Sequence, residues 1–99
     1  MEKNMVDILF EESGSQSVHY YCIATEHHRY DFSIIFTNNF FGKAMVVSIQ
    51  SGTMVLMCNE DIENDCYWAE KLGIHQIDVD ECRIFLQMIL NQKLFVNQY

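Results

Sequence analysis

The sequence predicts an α+β fold: an antiparallel β-meander of four or five strands, with two C-terminal helices packed on one face. Two observations support this class. Apolar residues alternate with a period of two up to Cys58 and recur every three or four residues after it. The strand-like runs also follow one another through short links, as in a meander. We expect the 99 residues to form a single domain, 1–99, with its core in 18–92.

The strands are predicted from alternation and from β-branched and aromatic residues. Phe32, Ile34 and Phe36 share one face of the most regular run. The segment Thr53–Cys58 is apolar on both faces, so both faces of the sheet should need cover at that strand. We predict strands over Val18–Thr25, Asp31–Thr37, Ala44–Gln50 and Thr53–Cys58, with Met5–Phe10 as a possible fifth.

Turn residues separate these runs. Ser51-Gly52 lies between the last two strands, where glycine can adopt the positive φ of a tight turn. A two-residue loop and a type I turn with a glycine bulge both fit. The longer turn before Lys43 contains Phe40 and Phe41, which either fold back onto the sheet or form a contact surface.

Two helices follow Cys58. Asn59 and the acids after it suit a helix start. Gly73 stands where a helix-ending glycine belongs, and Ile74 is then placed to contact Ala69, as in a Schellman ending. The second helix is predicted to start at Asp78 as a cap, with Glu81 three residues later. Its apolar face is predicted to contain Cys82, Phe85, Leu86 and Ile89.

The formal net charge of −8, with only six lysines and arginines, disfavours nucleic-acid binding, since that affinity comes from basic residues. No run approaches the ~20 apolar residues of a membrane span. The chain start lacks the features of a signal peptide. We therefore expect a cytoplasmic protein with no nucleic-acid or membrane partner.

Candidate chemical motifs are incomplete. The four cysteines form no C-x-x-C pair and are interpreted as buried thiols. His27 and His28 would point to opposite faces of an extended strand, so we interpret them and His75 as solvated loop histidines. A metal site that combines one of them with His75 and an acid stays open as an alternative. Gly42-Lys43 lacks the rest of a phosphate-binding motif. We predict no metal site, no cofactor and no catalytic residue.

The run from Arg29 to Gly52, followed by a strand, an acidic helix start and an amphipathic helix, resembles the SAV0927-type family of small Firmicutes proteins, a domain of unknown function. The resemblance covers about Val18 to Leu90. It implies a cytosolic α+β protein with no assigned activity, so no catalytic residue is carried over. The positions that carry it are Asp31, Thr37, Phe40, Gly42, Lys43, Gln50, Ser51 and Gly52.

The leading functional hypothesis is a non-enzymatic interaction module that forms homo-oligomers, with a dimer favoured over a trimer and a different protein partner also possible. A second copy would cover the sheet face that the helices leave uncovered, unless Met5–Phe10 or the C-terminal segment Leu94–Tyr99 covers it. We predict that Met45, Val47 and Ile49 lie beneath the helices. The residues that alternate with them along the strand are predicted to face away from the helices. The predicted self-association residues are Phe40, Phe41, Val46, Val55 and Met57.

A second hypothesis is a module that binds a small molecule or effector, using polar residues near the turns. An enzyme is the third possibility and requires a concave pocket with a perturbed ionisable group. The predicted ligand-binding residues are Arg29, Asp31, Lys43 and Gln50.

Overall fold

A computed structural model describes residues 5–37, 42–64 and 67–96. Its centre is a four-stranded antiparallel sheet in the order β1-β2-β3-β4, which confirms the predicted α+β meander. Each strand pairs with the next in the chain, because the links between them are short. The strands are β1 (Ser17–Ala24), β2 (Arg29–Phe36), β3 (Ala44–Ser48) and β4 (Thr53–Met57).

The predicted fifth strand is absent from the described residues. Met5–Phe10 forms neither strand nor helix. Its apolar side chains are largely exposed, Leu9 to 94% and Val6 to 89%. An apolar run alone does not make a strand, since a strand also needs a partner for its backbone groups.

The first predicted helix is present as two short helices, α1 (Asn59–Asn64) and α2 (Tyr67–Lys71). The prediction of two helices on one face was therefore wrong in its count: a 3-10 turn (Gln76–Asp78) and a long helix, α3 (Val79–Val96), follow. The two short helices bury Ile62 from α1, and Trp68 and Ala69 from α2.

The ending of α2 is confirmed as a Schellman motif. The Ile74 N–H donates to the Ala69 carbonyl (2.9 Å), and the Gly73 N–H donates to the Glu70 carbonyl (3.2 Å). Gly73 has a φ of 71°, the left-handed conformation that this ending requires.

The core lies between one sheet face and the helices. Phe32, Ile34 and Phe36 of β2 are buried there, as predicted. The α3 helix contributes its predicted face and stacks Phe85 on Phe32, with ring centroids 6.1 Å apart. Its buried residues include Cys82, Leu86, Ile89 and Leu90. Among the described residues, no helix combines the length and apolar character needed to cross a bilayer.

Candidate functional site

Three of the four residues predicted to bind a ligand lie together at the start of β2. The Gln50 side chain accepts a hydrogen bond from the Asp31 N–H (3.1 Å) and donates one to the Arg29 carbonyl (3.2 Å). An Arg29 guanidinium nitrogen lies 3.4 Å from the Asp31 carboxylate. Hydrogen bonding from the Cys22 thiol, together with the Arg29 charge, holds the pKa of Asp31 below its usual range. These groups are therefore largely satisfied by one another.

Lys43, the fourth predicted ligand residue, belongs to a different part of the surface. It precedes β3, whereas Gln50 follows the other end of that strand. Its ammonium nitrogen lies 3.1 Å from the Asp61 carboxylate. Asp61 also accepts a hydrogen bond from the Cys58 N–H (2.9 Å). Lys43 thus joins β3 to the start of α1 and does not reach the Arg29–Asp31 cluster.

The prediction of which side chains of β3 and β4 face the helices was wrong: the opposite set faces them. Val46, Val55 and Met57 lie beneath the helices, exposed to only 0%, 9% and 0%. Cross-strand register explains why: Val46 pairs with both Ile34 and Val55, so all three share the face of the buried β2 residues. Phe40 and Phe41 lie outside the described residues.

The opposite side of the sheet, here named the bare face, carries two cross-strand rows of side chains. Leu56 and Val18 stand at the outer ends of the first row, and Met54 and Tyr20 at the outer ends of the second. Exposure falls from 61% at Tyr20 to 37% at Leu56 along these edges. The rows are Val18–Ile35–Met45–Leu56 and Tyr20–Ser33–Val47–Met54.

The bare face is almost free of charge. Arg29 and Asp31 are the only charged residues in the four strands, and they neutralise each other. Five exposed acids lie on the helices, at Glu60, Glu63, Glu70, Asp80 and Glu81, and four more lie outside both helices and strands, at Asp7, Glu11, Glu12 and Glu26. The apolar and acidic surfaces of the molecule are therefore separated.

A polar cluster at one end of the sheet joins residues that are far apart in sequence. His28 Nδ1 lies 2.7 Å from Asp78 Oδ2, and the Tyr30 hydroxyl donates to the same oxygen (2.7 Å). The Tyr30 hydroxyl also accepts a hydrogen bond from the His75 N–H (3.1 Å). The rings of His28 and His75 stack in parallel, with centroids 3.9 Å apart. This cluster ties β2 to the segment between α2 and α3.

One prediction from the sequence is corrected by this cluster. Asp78 was expected to cap the last helix, but its carboxylate accepts hydrogen bonds from His28 and Tyr30, and Oδ1 has no partner among the described residues. His28 and His75 were expected to be solvated loop histidines; both are exposed, and their rings also stack on each other. Fifty residues separate His28 from Asp78, so no local spacing could reveal the contact.

The carboxylate of Asp78 stays ionised in the folded protein. Burial by itself would raise the pKa of Asp78, since its side chain is fully inaccessible. Hydrogen bonds, chiefly that from Tyr30, outweigh this effect and lower the pKa to about 2. Burial and the bond to Asp78 raise the pKa of Tyr30 to about 12.

A small cavity of about 230 Å³ opens beside these rings. Its wall includes the loop around Gly73, which approaches the β3–β4 turn so closely that an added Cβ would lie 3.2 Å from Ser51 Cβ. No group of three or more histidines, cysteines or acids among the described residues is placed to hold a metal ion. The lining residues are His28, Arg29, Tyr30, Ser48, Gln50, Ser51, Gly73 and His75.

A larger open groove of about 560 Å³ lies between α2 and the start of α3. Arg83 is its one basic lining residue. That guanidinium donates to the Ile62 carbonyl (2.8 Å) and lies over the Trp68 ring, 5.6 Å from its centroid. The groove thus offers an arginine that already joins α3 to α1 and α2.

A model of the SAV0927-like family matches residues 9–88, well over half of the chain. The chain belongs to the SAV0927-like family. No curated protein sequence matches it. The matched range begins before Val18, where the resemblance was expected to start, and ends two residues short of Leu90.

In this SAV0927-like protein, the matched range contains every residue of the sheet and of the polar cluster. The bare face and the cavity beside His28 are therefore both built from the region that the family model describes. Neither feature depends on the chain ends.

Proposed function

We propose that this protein is a non-enzymatic cytoplasmic interaction module that self-associates as a symmetric dimer through its bare face. The observation that carries the proposal is the apolar surface formed by two complete cross-strand rows. Val18, Met54 and Leu56 are exposed to 58%, 45% and 37%. Contiguous apolar patches larger than a few hundred Å² are rare on monomers and mark contact sites.

The charge distribution supports a second copy as the occupant. Each chain carries a formal charge of −8, so two copies repel each other across most approaches. The bare face is the side on which Arg29 and Asp31 compensate each other. Two copies that meet there keep their acidic helices on the outer sides, as far apart as the fold allows.

The size of the bare face indicates a weak or moderate dimer. Four strands about 4.8 Å apart, with five to eight residues at ~3.4 Å each, give a face of roughly 400 Å². Two such faces bury roughly 800 Å², below the ~1,600 Å² of a standard interface. A two-fold arrangement is the commonest solution for such a surface.

Within one chain, the N-terminal segment does not provide the cover. Met5–Phe10 is exposed throughout, and Phe10 itself to 78%. The alternative of an effector site built from Arg29, Asp31, Lys43 and Gln50 has less support, since Lys43 lies away from Arg29 and Asp31, and Gln50 bonds to the backbone of both.

Light scattering across micromolar concentrations tests the proposal. We expect the mass to rise from 11.7 kDa toward twice that value as concentration increases. A mass of 11.7 kDa throughout would overturn self-association. A limiting mass of three chains would keep self-association and overturn the dimer.

Substitutions then test which surface is used. Leu56→Asp and Val18→Asp place a charge on the bare face, at opposite edges of the sheet, and should leave monomers at all concentrations tested. Ile84→Asp is the matched control, since Ile84 is a 65% exposed apolar residue on α3. Circular dichroism checks that all three variants remain folded. If Ile84→Asp alone dissociates the protein, the interface lies on the helices.

A further inference from the structure

The cavity beside the polar cluster contains an oriented histidine. Because ionised Asp78 can only accept hydrogen bonds, His28 must donate from Nδ1. The other ring nitrogen, Nε2, then takes part in no bond to Asp78. The His28 side chain is 39% exposed and the residue lines the cavity. A buried carboxylate that fixes one nitrogen of a histidine leaves the other in a defined position.

Some of the remaining lining groups are already hydrogen-bonded within the protein, and others are available to a ligand. Gln50 is held by the backbone of Arg29 and Asp31. Ser51 Oγ lies 2.8 Å from Thr53 Oγ1 and 3.3 Å from the Leu72 carbonyl. Ser48, only 2% exposed, and the stacked ring of His75 also line the cavity. The described structure thus presents His28, His75 and Ser48 to whatever enters.

The wall of the cavity around these available groups differs in charge from the rest of the molecule, which is acidic. No acidic residue lines the cavity, although the chain carries fourteen acids. The carboxylate of Asp78, which bonds to His28, is fully inaccessible to solvent. A protonated histidine donates from both nitrogens, so His28 can donate to Asp78 and to a ligand at once.

We propose that this cavity binds a small oxyanion, a phosphate or carboxylate group, through the His28 and His75 rings and the Ser48 hydroxyl. A volume of about 230 Å³ is below the ~300 Å³ of drug-sized pockets and suits an ion or a small acid. A metal ion fits less well: parallel stacked rings direct their nitrogen lone pairs along parallel lines, which do not converge on one ion. The inference goes beyond self-association, since no residue that lines the cavity belongs to the two rows of the bare face.

Nuclear magnetic resonance titrations test this directly. Because a protonated histidine ring donates from both nitrogens, the ring signals are followed at mildly acidic pH. Sodium phosphate and sodium acetate are the probes, and sodium chloride at equal ionic strength is the control. We expect phosphate or acetate to shift the ring signals of His28 and His75 saturably. The tighter of the two identifies the group as phosphate or carboxylate. Absence of saturation up to roughly tens of millimolar, or equal shifts with chloride, would overturn the proposal.

A neighbouring histidine provides the matched control. His28→Gln should weaken binding of the better probe about tenfold or more, since it removes a charge-assisted hydrogen bond. His27→Gln changes an adjacent residue that does not line the cavity and should alter affinity by less than about twofold. His75→Gln serves if His28→Gln does not fold. Unchanged affinity in a folded His28→Gln or His75→Gln variant would overturn the site.

Discussion

Replacing Val46 and Val47 by alanine, one at a time, removes the same two methyl groups from opposite faces of β3. Val46 is completely buried beneath the helices, between Ile34 and Val55 in register. Val47 is half-buried on the bare face, beside Met54. Because the two residues share chemistry, strand and backbone environment, the pair measures which face the core occupies.

The expected magnitudes differ clearly. Each buried methyl contributes about 0.8 kcal/mol, and a cavity adds to the loss, so Val46→Ala should lower the free energy of unfolding by about 2 kcal/mol. Val47→Ala leaves a gap that is open to solvent, so it should lower the free energy of unfolding by only about 0.5 kcal/mol in the monomer. For a domain of this size the first change corresponds to a Tm decrease of roughly 10 °C.

Urea denaturation followed by circular dichroism measures both values at low protein concentration, and then at high concentration. Binding of a second copy stabilises the folded state by mass action. The effect of Val47→Ala should therefore grow with concentration, while that of Val46→Ala stays constant. An effect of Val47→Ala that equals or exceeds that of Val46→Ala in the monomer would show that the face assignment is wrong.

Two further predictions concern the polar cluster and the turn beside it. The pKa of Asp78 is about 2 in the folded protein, below the ~3.9 of an unfolded chain, so its ionised form contributes stability above about pH 4 that is lost as the pH falls toward 2. Asp78→Asn should therefore reduce the loss of stability that accompanies acidification. An unchanged loss in this variant would contradict the stabilising role of the ionised carboxylate in the cluster. Gly73→Ala should destabilise the protein by more than the ~1–2 kcal/mol expected for Gly52→Ala. Both glycines have positive φ, 71° and 70°, but only at Gly73 would the added Cβ approach another residue, Ser51, at 3.2 Å. Equal Tm changes in the two variants would show that this close approach has no effect.

Local patterns in the sequence determined the strands and the Schellman ending. Alternation along Asp31–Thr37 identified the buried face of β2 because strand geometry places every second side chain on one side. Gly73 and Ile74 specified the end of α2 because each bond of that motif spans only three to five residues.

Only the tertiary structure decided which face of β3 and β4 is covered. Both faces are apolar, as at Val46 and Val47, so alternation distinguishes the faces without saying which one the helices occupy. Register across the sheet assigns Val46 and Val55 to the side of Ile34, and register depends on turn geometry as well as on the strands.

The polar cluster depends in the same way on contacts between distant residues. His28 and Asp78 are fifty positions apart, and each has an ordinary local interpretation, as a loop histidine and as a helix cap. Local hydrogen bonding competes for such side chains. Here the chain path brings the start of β2 beside the 3-10 turn, where Tyr30 and His28 both hydrogen-bond to Oδ2 of the buried carboxylate.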